Sequence, residues 1–276
     1  MRANNLTISI PNKGCDKNCP YCISKITGSV KSNVDLMRRN TSKVKSLARA
    51  AQITSVLLTS KGEPCLNMEH TLEFLNEFNE WPTELQTNGE AILKDLASGS
   101  NSVLEQLFFA GLNVLAISVD NDYQMKYKVP LVTRCASELG MVVRLTLNVN
   151  NMFTLDAYEI IDICKKFSID QFTLRRISYP SNNVKNNKVI KWIQENTELS
   201  HYNDLNQSFL YGLDPDKDLI RHTSDGISVW DKEGVSILCS DYCIQESAKT
   251  EEVRSLIFQE DGHLYTSWNS KASVLF

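Results

Sequence analysis

The sequence lacks the features that place a chain in a membrane or on nucleic acid. No apolar run approaches the ~18 residues that a membrane-spanning helix needs. Basic residues do not prevail, since 29 Lys and Arg stand against 33 Asp and Glu, and a net charge of −4 argues against a dedicated nucleic-acid binder. A secretory signal is also missing, so the eight cysteines indicate a reducing compartment, and we expect a cytoplasmic protein.

The bulk composition is that of an ordinary globular protein. Hydrophobic residues make up 42% of the 276 positions and charged residues 22%. A chain of this length can bury a large core and still carry an appendage. We therefore expect one main α/β domain and a smaller addition.

Short apolar runs alternate with amphipathic helical stretches up to about residue 179. Six β-α units in series predict a parallel sheet, and six strands are too few for the closed eight-strand barrel. We therefore predict an α/β fold, a partial (βα)6 TIM-like barrel, over residues 1–179. The predicted strands are Leu6–Ile10, Ser55–Thr59, Glu84–Thr87, Val114–Val119, Val142–Val149 and Phe172–Ile177.

The fifth predicted strand alternates polar and apolar residues. Arg144, Thr146 and Asn148 alternate with the apolar residues of Val142–Val149 and would face the opposite side of the sheet. A parallel strand between two apolar layers should be nearly all apolar, so the polar set indicates a wet cavity or a ligand. An edge strand with a solvated face is the alternative.

Residues 180–276 differ in composition and patterning from the preceding part of the chain. We predict that they form a C-terminal extension that acts as a lid on the substrate side. Residues 181–188 read as a linker and 189–195 as a short helix, whereas residues 203–225 look irregular. Two hairpins are predicted, around residues 231–234 and 260–262, the latter on an Asp-Gly turn signal. Three aromatic residues are candidates for a substrate pocket, with exposure on a hairpin as the alternative: Tyr242, Tyr265 and Trp268.

Three cysteines lie on one short loop after the first predicted strand. Cys15, Cys19 and Cys22 have the spacing C-x3-C-x2-C, which can converge three thiolates on an iron–sulfur cube and leave one iron open. Zinc is the alternative metal, but a tetrahedral zinc site requires a fourth ligand, and its cysteines are usually spaced as two C-x2-C pairs. A disulfide is the other alternative, and the composition is not that of a disulfide scaffold.

This spacing, with Tyr21 before the last cysteine, resembles the signature of the radical S-adenosylmethionine (radical SAM) superfamily. Gly62-Glu63-Pro64 after the second strand resembles the family's Gly-Gly-Glu-Pro motif, with Lys61 in place of the first glycine. Asn88 lies in a stretch similar to the "TNG" end of the third strand. Residues 110–120 resemble the molybdenum-cofactor-synthesis-type and viperin-like members.

The resemblance implies two cofactors, a [4Fe-4S] cluster and S-adenosyl-L-methionine (SAM), with Cys15, Cys19 and Cys22 as the metal ligands. It implies reductive cleavage of SAM to a 5′-deoxyadenosyl radical that abstracts hydrogen from a substrate, with a flavodoxin- or ferredoxin-type electron donor. The implied cofactor-binding residues are Tyr21, Gly62, Glu63, Pro64, Asn88, Ser118, Arg144 and Asn148. A structural ion pair is the alternative role for Arg144.

Three other cysteines are candidates for a catalytic role. Cys65 lies two residues after Glu63, and Cys239 and Cys243 are four apart beside a predicted hairpin. An auxiliary cluster would need more cysteines than the two in the extension. A hydrogen-donor or disulfide role is open for this pair, and packed free thiols are the alternative.

The functional hypotheses differ in the substrate and in whether the protein is an enzyme. The leading one is a radical SAM enzyme with a nucleotide- or nucleoside-derived substrate, because of the likeness over residues 110–120. A peptide-modifying radical SAM enzyme is the first alternative, disfavoured because the first predicted strand already begins at Leu6 and leaves no room for a preceding peptide-binding domain. A non-catalytic metal-binding or redox-sensing module is the second. Small-molecule or peptide partners are thus expected, and nucleic acid or membrane are not.

Overall fold

Six parallel strands form the centre of one sheet, as the sequence predicts. A computed structural model of the protein describes residues 2–28, 30–179, 187–223, 226–240, 252–268 and 271–276. Neighbouring strands of the central six are also consecutive in sequence, from β1 to β6. The six strands are β1 (Arg2–Ile10), β2 (Ser55–Ser60), β3 (Thr83–Thr87), β4 (Val114–Val119), β5 (Val142–Val149) and β6 (Gln171–Arg176).

Helices cover the apolar face of this sheet. Side-chain caps fix where several of them begin: Asn33 accepts a hydrogen bond from the backbone of Leu36, and Asp156 and Glu159 form a capping box. A π-helical turn, Gln124–Lys128, leads into the sixth helix. The helices up to the sixth strand are α1 (Ser24–Thr27), α2 (Val34–Ala50), α3 (Met68–Glu77), α4 (Glu90–Ala97), α5 (Ser102–Phe109), α6 (Val129–Glu138) and α7 (Ala157–Lys166).

The other face of the sheet carries the polar residues of the fifth strand, and β5 lies between β4 and β6, so the edge-strand alternative is wrong. The pairing register aligns Ser118 with Thr146, and Asn148 with Arg175, so these side chains share one face. Their neighbours Leu145 and Leu147 belong to the core beneath the helices. This polar face, opposite the core beneath the helices, is called the inner face of the sheet below.

The C-terminal extension adds strands to both edges of the sheet. β9 pairs with β6 and β10 pairs with β1, both in parallel, so the sheet has eleven strands in the order β11-β10-β1-β2-β3-β4-β5-β6-β9-β8-β7. Both predicted hairpins are present, β8–β9 and β10–β11. The strands of the extension are β7 (Leu219–His222), β8 (Ser228–Lys232), β9 (Val235–Ser240), β10 (Glu252–Phe258) and β11 (Leu264–Tyr265).

The expectation of irregular structure over residues 203–225 is wrong. A helix, α9 (Leu199–Leu210), follows α8 (Lys188–Asn196), and β7 lies beyond it. Three apolar residues of α9 are buried, Tyr202, Leu205 and Phe209, and this packing outweighs the low helix propensity of the intervening Asn and Asp. The predicted linker lies mostly outside the described residues, and the lid role of residues 180–276 stays a prediction. No helix in the described ranges is long and apolar enough to cross a bilayer.

Candidate functional site

The three loop cysteines follow β1 directly, at the carboxyl edge of the sheet. Cys15 is exposed, Cys19 and Cys22 are half-buried, and all three are free thiols. Burial raises the pKa of the Cys15 and Cys19 thiols. In the described parts of the chain, no three His, Cys, Asp or Glu side chains are gathered closely enough to hold a metal ion. The donor set nevertheless fits a cluster, because the loop supplies three unpaired thiols and contains no helix or strand that fixes them apart.

Gly62 is the point where the second motif touches the cysteine loop. A Cβ at this position would come within 3.0 Å of the Gly14 carbonyl oxygen and the Asn12 side-chain oxygen. The next residue, Glu63, donates its backbone N–H to the same Gly14 oxygen over 2.9 Å. Close backbone approach therefore requires glycine at position 62. Lys61, where the family motif has glycine, is not among the residues with positive φ, so the substitution strains nothing.

The Glu63 carboxylate joins the ends of β2 and β3. It is buried and accepts hydrogen bonds from the Thr87 hydroxyl (2.6 Å), the Asn88 backbone (2.8 Å) and the Cys65 backbone (3.0 Å). Burial raises the pKa of Glu63, although these three donors oppose the shift. Pro64 begins the short 3₁₀ turn Pro64–Leu66 that leads away from the site. The Glu63 side chain is thus a structural tie, which leaves the backbone carbonyls of the motif as acceptors for a ligand.

Asn88 extends this tie to the cysteine loop. Its side-chain amide donates to Asp16 (2.8 Å) and lies 3.7 Å from the Cys15 sulfur. The backbone carbonyl oxygen of Asn88 accepts a hydrogen bond from the ammonium of Lys128, and that ammonium also contacts the Glu90 carboxylate at 2.9 Å. Lys128 is a functional neighbour that the sequence did not reveal, because it lies on the helical stretch after β4 where a lysine usually faces solvent.

Tyr21 anchors the other end of the loop. Its hydroxyl donates to the Asp120 carboxylate after β4 over 2.5 Å, and its ring lies 5.6 Å from that of Trp192 on α8. Burial, and then the Asp120 charge, raise the pKa of the Tyr21 hydroxyl far above its usual range. Nothing in the local sequence signals the contribution of Trp192, which comes from the extension.

A second residue of the extension holds the base of the loop. Glu260, in the turn between β10 and β11, is buried and accepts from the Asn12 backbone (2.8 Å) and the Ser32 hydroxyl (2.5 Å). Its own carbonyl accepts from the Asn33 backbone over 2.7 Å. In the sequence Glu260 is only part of a predicted turn, because contacts across 248 residues leave no local pattern.

The remaining predicted cofactor-binding residues divide into two groups. Ser118 and Asn148 lie near the carboxyl ends of β4 and β5 on the inner face, on the side where the cysteine loop lies. Arg144 is third in its strand, and its guanidinium contacts Glu84 at 2.5 Å and Gln171 at 2.7 Å. This is the structural ion pair that the sequence left open, and a role of Arg144 toward SAM stays a prediction.

Two of the three candidate catalytic cysteines, Cys65 and Cys239, lie within the described residues and are free thiols. Cys65 is buried, its backbone is held by Glu63, and its thiol lies 3.5 Å from the Thr87 hydroxyl; burial raises its pKa well above the usual value. Burial raises the pKa of the Cys239 thiol on β9 to about 12. Cys243 lies outside the described residues. Catalytic roles for these cysteines stay predictions.

Comparison with known proteins agrees with this geometry. The model of the 4Fe-4S single cluster domain matches residues 6–131, which span the cysteine loop, Gly62-Glu63-Pro64, Asn88 and Ser118. This match supports the iron–sulfur cluster that the resemblance implies. No curated protein matches the chain significantly.

Solved structures show the same radical SAM fold. SuiB of Streptococcus suis, bound to the precursor peptide SuiA, has a TM-score of 0.62 at 15% identity, over 96% of this chain and 59% of its own. SuiB bound to S-adenosylmethionine gives a TM-score of 0.55 at 14% identity, over 96% and 60%. This chain therefore spans about three fifths of the SuiB chain, and at this identity the likeness establishes the fold alone.

Proposed function

We propose that the protein is a radical SAM enzyme that acts on a peptide. The observation that carries the enzymatic proposal is the contact between the two motifs, where Gly62 lies against Gly14 and Glu63 donates to its carbonyl. A loop that only held a metal would not require a second motif at this distance. The 4Fe-4S single cluster domain over residues 6–131 supports the same conclusion.

A peptide substrate has better support than the nucleotide substrate that the sequence favoured. SuiB bound to its precursor peptide matches 96% of this chain, including the extension, at a TM-score of 0.62. The likeness to nucleotide enzymes concerns only residues 110–120. A peptide substrate would bind across the inner face and the extension.

The chain's own residues have distinct roles in this proposal. Cys15, Cys19 and Cys22 would hold the cluster, and the backbone carbonyls around Gly62 would accept from the amino group of SAM. When bound, these cofactors supply a one-electron reductive cleavage that yields a hydrogen-abstracting radical. Ser118 and Asn148 would orient the ligand on the inner face, and a flavodoxin- or ferredoxin-type protein would supply the electron.

The protein contributes position and exclusion of water. Asn88, through Asp16, and Tyr21, through Asp120, tie the cysteine loop to the ends of β3 and β4. These ties limit the orientations available to the thiols, which favours one cluster geometry. Trp192 covers the Tyr21 ring and reduces access of water to this end of the loop.

The test is anaerobic reconstitution with iron and sulfide, reduction with dithionite and an assay of 5′-deoxyadenosine release from SAM. The Cys19→Ala/Cys22→Ala variant should lose iron and release. The matched control, Cys135→Ala/Cys164→Ala, also removes two thiols, but on α6 and α7, and should retain both. Absence of iron and of SAM binding in the wild type, or zinc in their place, would leave the non-catalytic metal module.

Substrate class is tested in the same assay. A pool of random peptides should raise the rate of 5′-deoxyadenosine formation, and a pool of nucleoside phosphates should not. Stimulation by the nucleoside phosphates alone would return the proposal to a nucleotide substrate.

A further inference from the structure

The inner face of the sheet contains a cavity that no predicted cofactor residue lines. Its volume is about 270 Å³, and it is partly open to solvent. Its walls come from β1, β2, β3, β6 and β10, from α1 and the residue before it, next to Cys22, and from residues 266–268. Gly62, Ser118 and Asn148, which would meet SAM, are not among its lining residues. The cavity therefore offers space for a second ligand beside the cofactor.

Among the described residues, those that carry charge around this cavity are all cations. Lys61, Arg175 and Arg254 line it, and no described Asp or Glu does, although the chain as a whole carries a net charge of −4. The other polar walls are neutral, Gln86 and Thr7 among them. Three cations around a cleft with low-dielectric walls focus a positive potential on its contents. The cavity is thus suited to an anionic group.

Arg175 is the cation best placed to bind that group. It lies near the carboxyl end of β6, is half-buried, and shares the inner face with Asn148 and Ser240 by register. Within the described ranges, the structure gives its guanidinium neither a carboxylate nor a hydrogen-bond acceptor. Arg144 on the same face has both Glu84 and Gln171. A half-buried guanidinium has lost part of its hydration shell. A ligand carboxylate would replace the missing hydrogen bonds.

The other two cations have partners of their own. The Lys61 ammonium donates to the Gly28 carbonyl over 2.6 Å, and burial lowers its pKa although Glu260 and Asp261 oppose the shift. Arg254 also makes interactions elsewhere. Both therefore contribute to the potential, and direct anchoring falls to Arg175.

The cavity has a size and apolar walls that suit an amino-acid side chain. Its volume of about 270 Å³ has room for one side chain and its immediate backbone. Trp268 and Ile257 offer apolar wall to the methylene groups of such a side chain. A planar guanidinium binds a carboxylate through two parallel hydrogen bonds.

We propose that this cavity binds a carboxylate of the peptide substrate, with Arg175 as its anchor. The proposal rests on the proposed function and names the substrate class within it, a peptide with an acidic residue at the bound position. The carboxylate belongs to a Glu or Asp side chain or to the peptide's C-terminus, and the test separates these sources.

The test uses blocked tripeptides as probes and the full reconstituted chain. Binding of acetyl-Ala-Glu-Ala-amide, acetyl-Ala-Gln-Ala-amide, acetyl-Ala-Gln-Ala with a free C-terminus, and adenosine monophosphate is measured by NMR titration in the presence of SAM. The variant is Arg175→Gln. The matched control is Arg176→Gln, the next residue of β6, which does not line the cavity. Iron content and SAM affinity are measured in each.

The Glu peptide, or the peptide with a free C-terminus, should bind wild type and Arg176→Gln about 10- to 100-fold more tightly than the blocked Gln peptide. Arg175→Gln should lose this preference but keep its iron and its SAM affinity. Equal binding of all peptides, no binding of any, a preference that survives Arg175→Gln, or selective binding of adenosine monophosphate would each overturn the proposal. Loss of iron and SAM binding in the wild type would instead refute the proposed function.

Discussion

Replacement of Gly62 by alanine tests whether the two motifs must touch. The added methyl group would lie 2.8 Å from the Gly14 carbonyl carbon, and closer still to its oxygen and to the Asn12 side chain. Since two of these three atoms are backbone, no side-chain rotation relieves the overlap. The cysteine loop has to retreat, and the 2.9 Å hydrogen bond between Glu63 and Gly14 lengthens or breaks.

The magnitude follows from these two losses. Overpacking of a well-packed contact costs about 1–3 kcal/mol. A lost backbone hydrogen bond adds about 1 kcal/mol. We expect Gly62→Ala to lower the free energy of unfolding by about 2–4 kcal/mol, which lowers the melting temperature by roughly 3–7 °C for a chain of 276 residues. Because the retreating segment carries Cys15, iron content after reconstitution should fall by more than half.

The assay combines thermal unfolding monitored by circular dichroism with iron analysis after anaerobic reconstitution. Gly140→Ala is the control, because Gly140 has φ of +88° and open space around it. Forcing alanine into that conformation costs about 1–2 kcal/mol without touching the loop. The control should therefore melt earlier but take up iron normally. A Gly62→Ala protein with wild-type iron content would refute the idea that this contact shapes the cluster site.

Three further outcomes are expected. Tyr21→Phe removes the hydroxyl bond to Asp120 and should lower the unfolding free energy in urea by about 1.5–3 kcal/mol. Lys128→Met should cost about 1–2 kcal/mol at pH 7. Burial raises the pKa of Glu90, but Lys128 outweighs it and holds that pKa below 4.5, so the difference from wild type should shrink as the pH falls below 4.5. Cys239, with a pKa of about 12, should react with iodoacetamide at pH 8 more slowly than Cys22 in cluster-free protein.

The first two outcomes have control variants that make the same chemical change at an exposed position. Tyr211→Phe removes a hydroxyl from a ring that is 76% exposed and should alter unfolding by less than about 0.5 kcal/mol. Lys191→Met removes a surface lysine whose pairing with Glu195 is exposed, and its small effect should not vary with pH in the same way. Equal losses in variant and control would contradict the first two expectations. Alkylation of Cys239 at the rate of the loop thiols would contradict the third.

Local pattern was sufficient to predict the central sheet. The alternation in β5 identified the inner face, and the Asp-Gly turn at residues 261–262 located a hairpin. The pairing partners of β9 and β10 were not predictable in this way, since parallel neighbours far apart in sequence leave no periodic trace. α9 was missed because Asn and Asp on its exposed side concealed three buried apolar residues.

The candidate site was predictable where its chemistry is carried by a spaced motif. The cysteines, Gly62-Glu63-Pro64 and Asn88 fall at the carboxyl ends of β1, β2 and β3, as their order implied. Arg144 shows a limit of that reasoning. Alternation predicts which face of the sheet a side chain lies on, but not how far the residue is from the carboxyl end of the strand. Its place as third residue of β5 already indicated distance from the carboxyl edge, and the structure pairs it with Glu84.

The pairing of β10 with β1 has a consequence for biogenesis. Ser255 lies beside Asn5, and Glu260 supports the cysteine loop at Asn12, so one edge of β1 is completed by a strand that is made much later. That edge of β1 stays unpaired until β10 has been made, and folding of such non-local contacts is slow. Iron loading should therefore follow synthesis of β10, and a chain ending before residue 252 should fail to assemble a site whose cysteines it already contains.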